Sequence, residues 1–236
     1  LSGTAGLAFT VGDGTADATM TFTGSLAAIN TALDGLRFRP PANTDGSSTL
    51  TLSTDDQGNT GSGGALSDTD TVTITIAAVN DAPVNSVPGA QSTDEDVVLV
   101  FNAANSNLLS VSDLDAGSSD LAITLSVTQG NLTLSDTTGL TFTVGDGTTD
   151  ASMIFTGSLA AINTALDGLR FRPPANTNGS STLTLTTDDQ GNTGSGGALS
   201  DTDTVTITIA AVNDAPVNSV PAAQNTDEDV VLVFDA

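Results

Sequence analysis

Acidic residues are the side chains of this sequence with the clearest capacity for chemistry, and they occur in short clusters. The clusters lie at the ends of alternating apolar and Ser/Thr runs: Asp113 with Asp115, Asp188 with Asp189, Asp201 with Asp203, Asp94 with Glu95 and Asp96, and Asn80–Asp81 with its later copy Asn213–Asp214. Ca²⁺ takes about six to eight carboxylate, amide and backbone oxygens as ligands. Aspartate also stabilises turns without any ligand. Because the clusters recur at several strand ends, they favour a cation over turn formation alone.

Two familiar calcium-binding loops are absent. An EF-hand loop beginning at Asp113 would need Glu at its twelfth position, where this sequence has Thr124. The Gly/Asp-rich nonapeptide of β-roll repeats is also missing, since the stretch at Gly194 does not fit it. The acidic clusters therefore match neither of these loops.

The composition excludes several classes of function. The formal net charge is −24, from 28 acidic residues against four arginines, and the chain has no Lys, His, Cys, Trp or Tyr. Nucleic acid and anionic membrane surfaces are unsuitable partners, since both are bound through Lys and Arg. Without Cys there is no disulfide or zinc–thiolate site, and without His the commonest general base is missing. No apolar run approaches the roughly 20 residues of a membrane-spanning helix, so we expect no membrane insertion.

A catalytic function is not expected. Asp188 and Asp189 could supply the paired carboxylates of a glycoside hydrolase. However, adjacent residues on a strand point to opposite faces of a sheet. Turn formation and cation binding account for these residues better. A glycan-binding module is also disfavoured, because the only aromatic residue is Phe, and aromatic residues make up 3% of the chain.

Hydrophobic residues make up 38% of the chain and fall in alternating runs, which predicts an ordered protein rather than a disordered acidic chain. The runs are short and separated by Gly/Asp/Asn clusters, a pattern typical of an all-β sandwich. The strands predicted for one complete repeat are Val97–Phe101, Leu108–Val111, Leu121–Val127, Leu132–Leu134, Leu140–Val144, Ser152–Phe155, Leu169–Arg172, Thr182–Thr186 and Thr204–Ala210. The turn sequence Gly145–Asp150 predicts that the two strands flanking it form a hairpin.

One segment breaks the β pattern and predicts a short helix in each repeat. In Ser158–Leu169, Ser158 has the character of an N-cap, the apolar residues follow helical spacing, and a glycine follows the last turn. Ser25–Leu36 is its twin. The next strand carries Arg170 and Arg172 on one face, where they either pair with nearby aspartates or bind an anionic ligand.

The chain is an array of nearly identical units. Residues 6–103 recur as residues 139–236 with a constant offset of 133 and nine mild substitutions. A period of this length predicts modules in tandem. We assign residues 1–83 to the C-terminal part of a first repeat, residues 84–216 to a complete repeat and residues 217–236 to the start of a third. This frame indicates a stretch of a longer array.

The end of each repeat carries the most specific motif. The segment TDDQGNTGSGGALSDTDTVTITIAAVNDAP occupies residues 54–83 and again residues 187–216. It resembles the closing segment of cadherin-type modules, in which an A-x-D-x-G turn precedes an alternating strand and a D-x-N-D-N-x-P linker. With TDED, the helix and GLRFRPP, it resembles the cadherin-like tandem repeats of giant bacterial surface adhesins, which are exported by type I secretion and associated with biofilms. The resemblance covers essentially the whole chain and implies Ig-like, cadherin-like antiparallel β-sandwich modules.

The resemblance also implies calcium ligands at the joints between modules. The implied ligands at the first joint are Asn80 and Asp81 from the linker and Asp113, Asp115 and Asp189 from the following module, and those at the next joint are Glu95, Asn213 and Asp214. The linker departs from the cadherin pattern at Ala78 and Ala82 and is one residue shorter. We therefore expect fewer ions per joint than in animal cadherins.

Together these features predict a structural extender, or stalk, of a bacterial extracellular adhesin, in which Ca²⁺ stiffens the joints and neighbouring repeats are the partners. The alternative is a repeat region of a self-associating extracellular filament or matrix protein. In that case other copies of the chain are the partners, and an exposed edge strand accepts a strand from a neighbour. The partial first repeat lacks its first strands and is open to completion by a neighbouring chain.

Overall fold

The computed structural model describes residues 1–59 and 61–234, which divide into two units. Unit 1 comprises Leu1–Val79 and Gly194–Gly196, and unit 2 comprises Asn80–Thr193 and Gly197–Ala236. Strands dominate both units, and the described part of each contains one short helix. The predicted all-β class is confirmed. No helix in these ranges is long and apolar enough to cross a membrane.

Unit 2 contains the complete repeat. Its strands are β5 (Val84–Ser86), β6 (Gln91–Asp94), β7 (Leu99–Phe101), β8 (Ser110–Ser112), β9 (Asp120–Val127), β10 (Asn131–Thr133), β11 (Leu140–Val144), β12 (Thr148–Asp150), β13 (Ser152–Ser158), β14 (Leu169–Arg172), β15 (Gly179–Asp188) and β16 (Ser200–Ala210). They form a six-stranded sheet in the order β11-β13-β9-β15-β16-β6, a four-stranded sheet in the order β12-β10-β14-β7, and the pair β5-β8. One pair departs from the expected antiparallel arrangement: β16 and β6 run parallel. These strands are far apart in sequence, which allows the long connection that parallel pairing requires.

The hydrophobic core of unit 2 is formed by alternate residues of these strands. In β9 every second residue is buried, namely Leu121, Ile123, Leu125 and Val127. Phe155 of β13 belongs to the same sheet, and Phe101 and Phe171 contribute from the four-stranded sheet. Fully burying a side chain of this size stabilises a fold by about 1.5–3 kcal/mol. In unit 2, the alternating sequence pattern therefore identifies the residues of the core.

The predicted helix is confirmed as α2 (Leu159–Leu166). The Ser158 side-chain oxygen accepts a hydrogen bond from the backbone N–H of Ala161 at 3.3 Å, which is the predicted N-cap. Gly168 follows the helix with φ +99°, a conformation that glycine adopts readily. The buried face of the helix consists of Ile162, Ala165 and Leu166.

Unit 1 contains the sequence of the second half of the same fold, and its strands form two separate hairpins. Its elements are β1 (Leu7–Val11), β2 (Thr21–Gly24), α1 (Leu26–Leu33), β3 (Gly46–Asp55) and β4 (Ser67–Ile76). The hairpins β1-β2 and β3-β4 keep the register of β11-β13 and β15-β16, but each is a sheet of two strands. In unit 2, β9 pairs with both β13 and β15 and joins them. The described residues of unit 1 contain no counterpart of β9.

The strand predictions agree with the structure apart from small shifts and three omissions. The predicted hairpin is confirmed as β11 paired with β13. The strand expected at Leu108–Val111 lies instead at Ser110–Ser112, and the strand expected from Val97 begins at Leu99. The strands β5, β6 and β12 were not predicted, because they are short and lie in segments rich in Asn, Asp, Gly and Pro. Pairing with partners elsewhere in the chain makes them strands.

Candidate cation site at the Asp113–Asp115 turn

The turn after β8 is folded around the carboxylate of Asp113. Its Oδ1 accepts hydrogen bonds from the backbone N–H groups of Asp115 at 3.1 Å and Ala116 at 2.9 Å. Such local bonding is the reason that turns favour aspartate. It orders the turn with one carboxylate oxygen and leaves Oδ2 of Asp113 for another partner.

The linker reaches this turn because β5 pairs with β8. Val84 lies opposite Ser112 in that pair, so the residues before Val84 pass beside the turn. The backbone N–H of Asp81 donates to Oδ2 of Asp115 at 3.1 Å. Of the predicted ligands, the structure thus brings Asp81, Asp113 and Asp115 together.

Two carboxylate oxygens of this turn are buried and have no hydrogen-bond partner in the described part of the chain: Oδ2 of Asp113 and Oδ1 of Asp115. Burial raises the pKa of Asp113, and the neighbouring Asp115 carboxyl adds to this effect, although the N–H groups of Asp115 and Ala116 oppose it. A buried acceptor without a partner costs about 1–3 kcal/mol. In the described part of the chain, the turn therefore contains two carboxylate oxygens whose negative charge is not balanced by a hydrogen-bond donor.

Asp189, in the loop after β15, is by contrast fully engaged by protein donors. Its Oδ1 accepts from the N–H groups of Gly191 and Leu199, both at 2.8 Å, and its Oδ2 accepts from Asn80 Nδ2 at 2.6 Å. Burial alone would raise the pKa of Asp189, but these three hydrogen bonds outweigh it and lower the pKa. Asn80 is itself buried and also donates to the Gly197 carbonyl at 3.0 Å. Asn80 and Asp189 therefore meet as a hydrogen-bonded pair that anchors the linker.

The other three predicted ligands lie at the far end of β16. The buried Glu95 donates its backbone N–H to the Ala210 carbonyl at 2.9 Å, and its Oε1 accepts from the Val212 N–H at 2.7 Å. Asn213 and Asp214 are exposed, and within the described residues Glu95 forms its hydrogen bonds with backbone groups, so the structure does not bring these three predicted ligands together. Glu95 thus fixes the course of the chain as it leaves β16.

The Asp113–Asp115 turn suits a hard cation in its donor chemistry. Within residues 1–59 and 61–234, no three His, Cys, Asp or Glu side chains are grouped so as to hold a metal ion. A cation here would therefore be held by the two carboxylates of the turn together with neutral oxygens, such as backbone carbonyls or water. An all-oxygen set of this kind matches Ca²⁺ rather than softer transition metals. The unpartnered oxygens of Asp113 and Asp115 fit such an ion.

Asn85 lies in β5 and is not singled out by the sequence pattern, yet its buried side chain fixes the position of this strand. Its backbone N–H donates to Asp201 Oδ2 at 2.7 Å, and its Nδ2 donates to the carbonyls of Leu185 at 3.3 Å and Asp201 at 3.0 Å. Its Oδ1 accepts from Thr187 Oγ1 at 2.6 Å. By fixing β5, this network also holds Asp81 at the acidic turn. Residue type gave no signal, because asparagine in a linker normally indicates a turn.

No protein-family model matches the chain, and no characterised protein matches it in sequence. Among solved structures, the chain is similar to a cohesin module from a family 33 glycoside hydrolase of Clostridium perfringens ATCC13124. That similarity has a TM-score of 0.30 and 12% identity, over 56% of this chain and 98% of the module. The chain is also similar to domains 1–6 of the surface layer protein SbsC, with a TM-score of 0.25 and 12% identity, over 72% of this chain and 17% of that one. At these TM-scores the likeness does not extend to a function.

Proposed function

We propose that this chain is a structural extender of a bacterial extracellular adhesin, stiffened by calcium bound where the linker meets each repeat. The observation that carries the proposal is the pair of buried, unpartnered carboxylate oxygens of Asp113 and Asp115. The tandem repeats, the net charge of −24 and the resemblance to cadherin-like adhesin repeats support it.

In this proposal the chain's own residues hold the linker at the acidic turn. The Asn85 network fixes β5, the Asn80–Asp189 hydrogen bond fixes the linker to the loop after β15, and Asp81 contacts Asp115 through its backbone. When bound, calcium supplies the positive charge that these carboxylates lack. Without it, like charges repel within the turn and loosen the linker, which behaves as a hinge. With it, Asn80 and Asp81 are fastened to the repeat that follows.

The affinity expected for such a site supports the proposed extracellular location. Extracellular calcium modules bind with Kd values of about 10⁻⁴–10⁻³ M. Sites of this affinity fill outside the cell and stay empty at cytosolic calcium concentrations. The chain would therefore remain loose during export and become stiff on arrival.

Thermal unfolding tests this function. The chain is heated in EDTA, in millimolar calcium and in the same concentration of magnesium, with unfolding followed by circular dichroism. A ligand present at a hundredfold excess over its Kd stabilises by about 2.7 kcal/mol, which for a domain of this size raises the midpoint by about 10 °C. We expect this rise in calcium and not in magnesium. Equal midpoints in EDTA and calcium would reject the calcium-stiffened extender.

A second candidate function rests on a different observation. In the complete repeat, the six-stranded sheet ends in β11 on one side and in β6 on the other, so both are edge strands. An open strand edge can accept a strand from a neighbouring chain. We propose, as the alternative, the repeat region of a self-associating extracellular filament or matrix. Association that rises with protein concentration and persists in EDTA would favour it.

A further inference from the structure

Asn178 and Gly179 form the only Asn-Gly pair in the sequence, and both are exposed in the complete repeat. Asn178 ends the loop before β15, and Gly179 is the first residue of that strand. In an Asn-Gly pair, the backbone nitrogen of the glycine can approach the side-chain carbonyl carbon of the asparagine, because glycine has no Cβ to hinder it. Asparagine is also among the thermolabile residues of proteins. The pair is therefore a place at which the chain can react with itself.

The surroundings of Gly179 leave this approach open. Its φ is +127°, and a Cβ placed on it would meet no atom within 4 Å beyond its two chain neighbours. Gly179 lies opposite Ile209 in the first pair of the ladder between β15 and β16. The ends of a ladder fray at a free-energy cost close to zero, whereas its centre opens only at a cost near the global stability. The Gly179 nitrogen thus becomes free when the end of the ladder opens, with the rest of the sheet intact.

The first repeat shows that a carboxylate suits this position. Asp45 stands there in place of Asn178, and the residues that flank the two positions are identical. Gly46, which follows Asp45, has the same register in its hairpin as Gly179 has in the complete repeat. The hairpin therefore forms with either residue before the glycine.

We propose that Asn178 deamidates spontaneously in the folded repeat and becomes aspartate or isoaspartate. Hydroxide or a buffer base takes the proton of the Gly179 amide, and the nitrogen attacks Cγ of Asn178. A bond forms between the Gly179 nitrogen and Cγ, and the bond between Cγ and Nδ2 breaks. Nδ2 takes a proton from the solvent and leaves as ammonia. The product of this step is a cyclic succinimide that joins the two residues.

Water then opens the succinimide at one of its two carbonyl carbons. Addition at Cγ breaks the new bond and gives aspartate. Addition at the backbone carbonyl carbon leaves the chain running through Cβ and gives isoaspartate. The two steps together consume a water molecule and release ammonia, and nothing is oxidised or reduced. Each product carries a carboxylate in place of a neutral amide, so the repeat becomes more negative by a single charge at neutral pH.

The new carboxylate forms at the end of unit 2 from which the linker leaves. Gly179 lies opposite Ile209, near the end of β16. On the other side of β16, Asp94 lies opposite Ala210, and Glu95 donates its N–H to the Ala210 carbonyl. Adjacent strands are about 4.8 Å apart, so the start of β15 is about 10 Å from β6. A repeat with Asn-Gly therefore gains charge at an acidic end as it ages, whereas a repeat with Asp-Gly carries it from synthesis.

Peptide mass spectrometry of the aged chain tests the proposal. The folded chain is kept at neutral pH and physiological temperature, and samples are taken over days. EDTA is present throughout, so that the result does not depend on the proposed calcium function. Pepsin digestion at low pH stops the base-promoted reaction before the peptides are analysed. We expect a growing fraction of peptide in which Asn178 has gained the mass difference between an amide and a carboxylic acid, with isoaspartate among the products.

Asn176 is the matched control within the same peptide. It is exposed and lies in the same loop as Asn178, but Thr177 follows it. Because the β-branched side chain of Thr177 hinders its own nitrogen, we expect Asn178 to convert about tenfold faster than Asn176 or more. Asn178→Gln is the matched variant, since it keeps an exposed amide whose ring would be larger by one atom. This variant should show no conversion over the same period.

Two results would overturn the proposal. Conversion of Asn178 no faster than that of Asn176 would show that the glycine gives no advantage in this loop. Conversion in concentrated urea but not in the folded chain would show that the pairing of β15 with β16 shields the Gly179 nitrogen. Both results are obtained in EDTA, so neither bears on the cation site.

Discussion

Asp113 is the residue at which a single substitution can test the proposed cation site. Its pKa is raised, chiefly by burial, so in EDTA the folded state binds more protons than the unfolded chain between the usual aspartate pKa of about 3.9 and the raised value. Stability therefore falls as the pH rises through that window, and the cost remains at neutral pH. Asp113→Asn removes the charge but keeps an oxygen for the N–H groups of Asp115 and Ala116. In EDTA at pH 7 we expect the variant to be about 1 kcal/mol more stable than the parent.

In millimolar calcium the same substitution should have the opposite sign, because it removes a charged ligand. Urea unfolding in both buffers measures the two differences in the free energy of unfolding. Asp96→Asn is the matched control: it removes one negative charge at an exposed position, and Asn tolerates its φ of +67°. The control should be nearly neutral in both buffers. If Asp113→Asn changes stability by the same amount with and without calcium, Asp113 binds no cation.

At the scale of the element, the two copies of the sequence LRFR show how far the environment decides structure: Leu169–Arg172 forms β14, whereas Leu36–Arg39 forms no strand. Phe171 is fully buried between β10 and β7, whereas Phe38, in the same local sequence, is 47% exposed. Truncating a buried Phe costs about 3–5 kcal/mol. We expect Phe171→Ala to destabilise unit 2 by that amount and Phe38→Ala to cost less than about 1 kcal/mol, as surface positions do. Guanidinium unfolding of both variants checks this; equal losses would show that unit 1 buries Phe38.

These elements also show what the sequence could and could not predict. The long alternating strands, the hairpin of β11 and β13 and the helix capped by Ser158 follow from local pattern, because their own residues define a face or an end. β5, β6 and β12 could not be found in this way, since each is three or four residues long and ordered by a distant partner. The Asp113–Asp115 turn was found from residue type, but its unpartnered oxygens were not. Those depend on burial, which comes from the pairing of β5 with β8.

At the scale of the whole molecule, the repeat period turns one local contact into a mechanical property of the array. The linker before the complete repeat is held by two aspartates of that repeat: the Asn80 side chain donates to Asp189, and the backbone N–H of Asp81 donates to Asp115. Because the sequence AAVNDAP recurs at residues 210–216, we expect the same contact wherever a further repeat follows this linker. Acidic groups throughout the chain repel one another, so in this proposal calcium acts on the stiffness of the joints as well as on the stability of the repeat that binds it.

Proteolysis at the linker tests this mechanical role. Elastase cleaves after small residues, and Ala77 and Ala78 are exposed just before the anchored Asn80. Cleavage requires the local backbone to open, so its rate reports the free energy of opening. We expect cleavage between residues 77 and 83 to slow about tenfold or more in millimolar calcium relative to EDTA, and to be unaffected by magnesium. The Asp113→Asn variant should lose this protection, and a small peptide substrate corrects for any effect of calcium on the protease. Equal linker cleavage in calcium and EDTA, with the midpoint of thermal unfolding still raised by calcium, would mean that the ion stabilises the repeat without stiffening the joint.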